Sequence, residues 1–390
     1  MNTKKKNKNF LIFFLLLNFL LSTYYLTNKY FIPIDHNFGE WMINYEGGFI
    51  RRGLSGQIFI ILSDFLDLNL RLIIYFFLIT IILIYLILIN DFFKEFNFSY
   101  LLAFFVLCPL FFNYSIYELE GLARKEILLL VFYLIYLKIL ENNFNFSLIL
   151  LFLFFPIILL VWEVSFLFIT FFIFVGLICL KNYNFKSFIK ILLSLLPSFC
   201  IFALIFFSKV TPEQIKISCE AVSNCSPAFS YLDKDIKYMF DRIDFKITYI
   251  FRYSFIFLLC FLPLIYFYKK CKNNENNFIF NNKIFFLLLI NFPLLVLFIV
   301  SEDWGRWISL IYSFNLFTIF YLIKRNYLSI DFDLVNNYFA RFKMISLVII
   351  FFYCFSWNPK ILYSDDIGSL PMYRSIYKAI KFNKNFYGME

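Results

Sequence analysis

Eleven apolar stretches divide this chain, at residues 10–31, 70–92, 99–115, 127–141, 146–162, 165–181, 190–208, 249–268, 284–300, 307–324 and 342–357. A helix needs about 20 mostly apolar residues to cross the roughly 30 Å hydrocarbon layer of a bilayer. Within that layer every backbone N–H and C=O must be satisfied by the protein itself, so only helices or a closed barrel can span it. Barrel strands alternate apolar and polar residues, whereas these runs are solid. The expectation is an all-α polytopic transmembrane bundle of about eleven helices, forming one integral-membrane domain over residues 1–390. Composition agrees, because 62% of the residues are hydrophobic against about 45–50% in soluble domains. The run 146–181 holds Pro156 and Glu163 and reads as two helices turning at Glu163.

Charge sets the expected orientation. The N-terminus MNTKKKNKN precedes an apolar run longer than the roughly 7–15 residues of a signal-peptide core, and no small-residue cleavage site follows it. It therefore reads as an uncleaved first helix with a cytoplasmic N-terminus. The positive-inside rule then places Lys94, the group Lys181, Lys186 and Lys190, the group Lys269, Lys270 and Lys272, and Lys324, Arg325 and Arg341 in cytoplasmic loops. External positions fall at 32–69, 116–126, the turn at Glu163, 209–248, 301–306 and the tail 358–390. The same rule accounts for the net charge of +10 without a nucleic-acid partner. The 61 Phe, with abundant Ile, Asn, Lys and Tyr, read as AT-rich coding bias and lipid-facing filler. Of eight cysteines, Cys219 and Cys225 lie in the polar loop ISCEAVSNCSP. On the external side, where disulfides persist, that spacing reads as a small disulfide loop; a metal pair would lack a nearby His.

The charged motifs all fall on that expected external side. They are Asp35 to Arg52 (within IDHNFGEWMINYEGGFIRRG), Glu118 to Glu126 (ELEGLARKE), Glu163 (VWEVS) and Glu302 to Arg306 (EDWGR). Arg51 and Arg52 stand among Gly47, Gly48 and Gly53, so guanidinium forks and backbone N–H groups could approach a phosphate closely. Resting on lipid headgroups is the plainer role for the same pair. LSGQIFIILSDFL, which follows, reads as a helix along the membrane surface. His36 is the only histidine, which is weak support for metal or base chemistry. Arg124, Lys125 and Glu126 run straight into an apolar helix, where charges are costly unless they face a cavity; an intrahelical Glu120–Arg124 pair is the structural alternative. Glu163 between two apolar runs is a functional candidate on the same ground, or else a hairpin turn in water. Asp303 and Arg306 are spaced i,i+3, with Gly305 leaving room beside them, and Trp304 and Trp307 suit the interfacial aromatic belt.

GGFIRRGLSG, GLARKE and EDWGRW, in that order on a polytopic chain, resemble membrane proteins of surface-polysaccharide synthesis. The wider layout looks like the GT-C superfamily of integral-membrane glycosyltransferases. That resemblance implies a polyprenyl-phosphate-linked sugar as donor, a glycan acceptor, a location in the bacterial inner (plasma) membrane among its lipids, and a catalytic acid in the first external loop ahead of an interfacial helix. Carried onto this sequence, Asp35 or Glu46 is the acid. Arg51 and Arg52 would face the lipid-linked phosphate, with Arg124, Lys125 and Arg306 as further candidates and Glu163 and Asp303 counted with them at the substrate site. Inverting transfer needs a carboxylate base at the acceptor hydroxyl and cations at the departing phosphate. A divalent cation is a candidate cofactor, although its oxygen ligands cannot be told from ordinary acidic loops in a sequence. Two other functions compete: an O-antigen-type polymerase or ligase dominated by arginines, and a lipid-linked-glycan transporter or flippase. A transporter would carry charge at the bilayer midplane and show repeated halves, and neither is visible here.

Overall fold

A computed structural model describes residues 2–96, 100–180, 185–222, 225–234, 236–242, 246–274, 278–330, 343–355, 357 and 359–361. Lys181, Arg341 and most of the tail 358–390 lie outside the described residues. Apart from one antiparallel pair, Lys272–Asn273 with Leu328–Ser329, the regular structure among these residues is helical. Among the described residues, six helical segments are long and apolar enough to cross a membrane: Phe10–Tyr30, Leu70–Phe93, Phe144–Val161, Ile247–Lys270, Lys283–Val300 and Trp304–Lys324. A seventh candidate is Phe185–Ser194 with Leu196–Phe207, bent by 45°; Pro197 sits in the first turn after the break, where a missing N–H costs nothing. These segments make the chain compatible with an integral membrane protein.

Several of the eleven expected spans take another form. The stretch 99–115 is a seven-residue helix, Tyr100–Val106, followed by successive turns to Asn113. Pro109 can neither donate to a helical bond nor fit against the preceding turn. The irregular backbone that results is enclosed by protein, with Leu107, Cys108, Leu110, Phe111 and Phe112 buried, as backbone of that kind must be. The stretch 146–181 does divide at Glu163, but its second half is a 3-10 turn, Glu163–Phe168, leading into the ten-residue helix Ile169–Ile178.

The Trp304–Lys324 helix is the axis of the molecule. Every residue from Trp304 to Ile323 is buried, whereas the other long helices expose Phe, Leu and Ile on their outer faces. Its polar residues bond to neighbouring elements: Ser309 donates to the Leu110 carbonyl (2.7 Å), Thr318 pairs with the Tyr133 hydroxyl (2.7 Å), and Asn315 exchanges amide bonds with Asn291 (2.9 and 2.8 Å). At its C-terminal end Lys324 pairs with Glu95 and Glu141. Arg306 stands at the other end.

The first loop is held in place by Arg71, at the start of the Leu70–Phe93 helix. Its guanidinium donates to the carbonyls of Lys29 (2.8 Å), Tyr30 (2.8 Å), Pro33 (2.6 Å) and Ile32, satisfying acceptors left over where the first helix ends. Directly afterwards Asp35 caps the helix His36–Met42, accepting from the Phe38 N–H at 3.0 Å. The helix expected over LSGQIFIILSDFL is present as Leu54–Leu66, burying Ser55, Gly56 and Phe59 and exposing Ile58, Ile61, Leu62 and Phe65.

Candidate functional site: a buried ion-pair cluster at one end of the bundle

Four elements bring charge together where the first loop meets the ends of three helices. Arg52 grips Glu163 with two nitrogens: Nε lies 2.8 and 3.0 Å from the two carboxylate oxygens, and Nη2 lies 2.7 Å from one of them. The two residues are 111 positions apart in sequence. Arg124 donates through Nη1 to Glu40 at 2.6 Å and to the His36 ring nitrogen Nδ1 at 3.2 Å. Arginine only donates, so Nδ1 accepts and the histidine proton sits on Nε2. Arg306 grips Glu126 (2.7 and 3.0 Å) and Asp303 (2.7 Å). Its guanidinium lies over the rings of Trp307 and Trp162, 4.7 and 5.6 Å from their centroids. Lys125, wholly buried, donates to the Arg52 carbonyl at 2.8 Å and faces the Trp41 ring.

Two backbone positions here have left-handed φ, Arg52 at 66° and Ala123 at 65°, a conformation costly for residues other than glycine. Each is held by a buried donor, Lys125 on the Arg52 carbonyl and the Trp41 indole on the Ala123 carbonyl (2.7 Å). The Lys125 bond ties the turn at Arg52 to the segment that carries Arg124.

The local fields are strong. Burial raises the Glu40 carboxyl, but Arg124, Arg306, His36 and Arg52 outweigh that and hold it down at about 2. Burial likewise opposes ionisation of Glu163, which Arg52 and Arg51 bring down to about 2. Lys125 goes the other way: burial lowers it to about 7, only partly offset by Glu40 and Glu163. Burial also lowers His36, so the ring is neutral at pH 7.

A cavity of about 80 Å³ lies under the cluster. Arg124, Glu126 and Arg306 line its charged side; Asn18, Ser22, Tyr114 and Ser313 are among its other polar walls. The Tyr114 hydroxyl is buried there without a partner.

Of the residues expected to form the site, Arg52, Arg124, Lys125, Glu163, Asp303 and Arg306 come together. Asp35 sits at the edge, bonded to Lys29 (3.3 Å), which also reaches Glu120 (3.4 Å). Two do not join. Glu46 is turned outward onto the Gln57 amide (2.7 Å), and Arg51 bonds the carbonyls of Tyr231 (2.6 Å) and Lys234 (3.3 Å). The intrahelical alternative for Arg124 is not what forms either, since its Nε takes the backbone carbonyl of Glu120 while the Glu120 carboxylate goes to Lys29. Glu163 is shielded, its side chain 14% exposed, so the turn does not place it in water. Trp304 and Trp307 are buried inside the protein instead of lying on an outer belt. The room at Gly305 is filled by the Lys360 carbonyl, 1.9 Å from where a Cβ would stand. Cys219 and Cys225 are joined as a disulfide. Among the described residues no group of three His, Cys, Asp or Glu could hold a metal ion, so the candidate divalent cation has no ready-made cluster there.

Glu40 and Glu126 stand among the charged residues of the sequence motifs but not among the expected site residues, and they prove to be the main partners of Arg124 and Arg306. Both were open to discovery. Glu40 lies one helical turn beyond His36, and Glu126 opens a helix, where the macrodipole favours an acid. No family model, curated protein or solved structure matches this chain.

Proposed function

We propose that this chain is an integral-membrane glycosyltransferase that takes a sugar from a polyprenyl-phosphate carrier, acting in bacterial surface-polysaccharide or glycoconjugate synthesis. The cluster end of the bundle faces outside the inner membrane and the N-terminus faces the cytoplasm. The observation that carries the reading is the gathering of Arg52, Arg124, Lys125 and Arg306 with Glu40, Glu126, Glu163 and Asp303 beside one cavity. Burying several ion pairs gives little stability over a well-packed apolar core, so their retention fits work on a charged ligand.

In this reading the donor phosphate sits against Arg124 and Arg306, the two cations that line the cavity. Asp35, at the edge of the cluster, takes the acceptor hydroxyl proton. The acceptor oxygen forms its bond to the sugar C1 as the bond from C1 to the phosphate oxygen breaks, and the guanidinium groups stabilise the charge left on the phosphate. Asp35 suits the base role better than Glu46, whose carboxylate is turned away onto Gln57. The prevalence of arginine over lysine among the paired cations also favours a second reading, the joining of lipid-linked oligosaccharides by an arginine-dominated site. The test is complementation of a deletion strain. Asp35→Asn and Arg306→Lys should insert normally yet fail to restore the surface glycan; full restoration by both would refute the proposal.

A further inference from the structure

Residues 211–222 and 225–232 cap the first loop, and the disulfide between Cys219 and Cys225 lies between their two points of attachment. Thr211 and Gln214 close a reciprocal cap on the helix Pro212–Glu220, and a 3-10 turn, Pro227–Tyr231, follows. One attachment is at Ser218. Its carbonyl accepts from the Asn44 amide (2.8 Å), its hydroxyl accepts from the Gly47 N–H (3.2 Å), and the same hydroxyl lies 3.4 Å from the Asn44 carbonyl. The other is at Ser226, whose hydroxyl donates to the Asp35 carbonyl (3.4 Å). Asp35 and Asn44 bracket the helix that carries His36 and Glu40. Cys219 directly follows Ser218, and Cys225 directly precedes Ser226. The disulfide therefore ties together the two residues that grip opposite ends of the acid-bearing helix. The fit is close: a Cβ on Gly39 would stand 2.0 Å from the Ser226 side chain, and one on Gly47 would stand 2.1 Å from the Gln214 carbonyl. Arg51 extends the attachment to Tyr231 and Lys234, which explains why this arginine is absent from the charge cluster.

We propose that the Cys219–Cys225 disulfide is a redox-sensitive clamp that fixes this cap onto the His36–Met42 helix, and that its reduction by a small dithiol releases that helix. The chemistry is a two-electron exchange. One thiolate of the dithiol attacks a cysteine sulfur, the S–S bond breaks, and a mixed disulfide forms. The second thiol of the reductant resolves it, giving two cysteine thiols and the oxidised reductant. With the bond intact, Ser218 and Ser226 leave their partners only together; with it broken, each attachment opens independently. Asp35 and Glu40, both buried in the clamped state, then lie on a helix held at fewer points. The proposal does not depend on the enzymatic reading above.

Hydrogen exchange of the full chain in nanodiscs, before and after treatment with dithiothreitol, is the test. Reduction should speed amide exchange in 36–47 and 214–231 by about tenfold, the factor expected when one or two hydrogen bonds no longer hold, and leave 304–324 unchanged. The double variant Cys219→Ser/Cys225→Ser should match the reduced protein. Gly39→Ala, with the disulfide intact, should loosen 36–47 as well, because the added methyl displaces Ser226. Unchanged exchange in 36–47 on reduction and in the double variant would overturn the clamp. So would equal loosening of 304–324, which would make the bond a general support of the fold, or an unaffected 36–47 in Gly39→Ala.

Discussion

Glu163→Gln isolates the Arg52–Glu163 contact, because glutamine keeps the shape and removes the charge. The arginine lies 2.7–3.0 Å from the carboxylate oxygens through two nitrogens, and the two side chains are 26% and 14% exposed. Losing one partner of a fully buried pair costs about 3–5 kcal/mol, and this partly buried one should cost about 2–3 kcal/mol. At roughly 2 °C per kcal/mol for a chain of this size, the midpoint of thermal unfolding in detergent should fall by about 4–6 °C. Arg52→Gln should cost a similar amount. The double variant should cost much less than the sum, with a coupling of about 2 kcal/mol or more. The pH dependence provides a separate check. Glu163 is held near 2 against an ordinary 4.5, so the stabilisation is fully present above 4.5 and is lost as pH falls toward 2. The gap between wild type and Glu163→Gln should close across that window. Additive costs in the cycle, or a single-variant loss under about 1 kcal/mol, would show that the contact behaves as an exposed ion pair and does not order the turn at Glu163.

Three further outcomes follow from neighbouring residues. Lys125 titrates near 7 in the folded protein against 10.5 ordinarily, so the unfolded chain binds the extra proton between those values and wild-type stability should rise with pH there. Lys125→Met should lack that rise when the two are compared by thermal unfolding from pH 6 to pH 10. Arg71→Ala frees four carbonyls at the end of the first helix and should cost about 3 kcal/mol, with faster hydrogen exchange centred on 29–35. Gly305→Ala forces the Lys360 carbonyl away, so limited proteolysis should cut near 357–361 sooner than in wild type.

The apolar runs were legible because lipid-facing and core residues alike are hydrophobic, which marks where helices lie but not how each one ends. Pro109 was visible, yet its effect was masked by a stretch of leucine and phenylalanine that reads as a plain span. Glu163, alone between apolar runs, announced itself as unusual; its partner Arg52 could not be inferred, because nothing in the sequence couples positions so far apart. Arg51 and Arg52 looked alike, and only the left-handed turn at Arg52 sends the two guanidinium groups in different directions. That Glu40 joins the cluster and Glu46 does not is a matter of helix phase. Asp35 caps a helix that places Glu40 inward, and that helix ends at Met42, before Glu46.

Binding of polyprenyl monophosphate to the purified chain in nanodiscs, followed by native mass spectrometry with the polyprenyl alcohol as control, tests the central claim most directly and needs no knowledge of the acceptor. The expected result is one saturable site for the phosphate, little binding of the alcohol, and affinity reduced by about tenfold or more in Arg124→Gln and Arg306→Gln, as loss of a charge-assisted contact requires. Equal binding of alcohol and phosphate, or unchanged affinity in both variants, would contradict it.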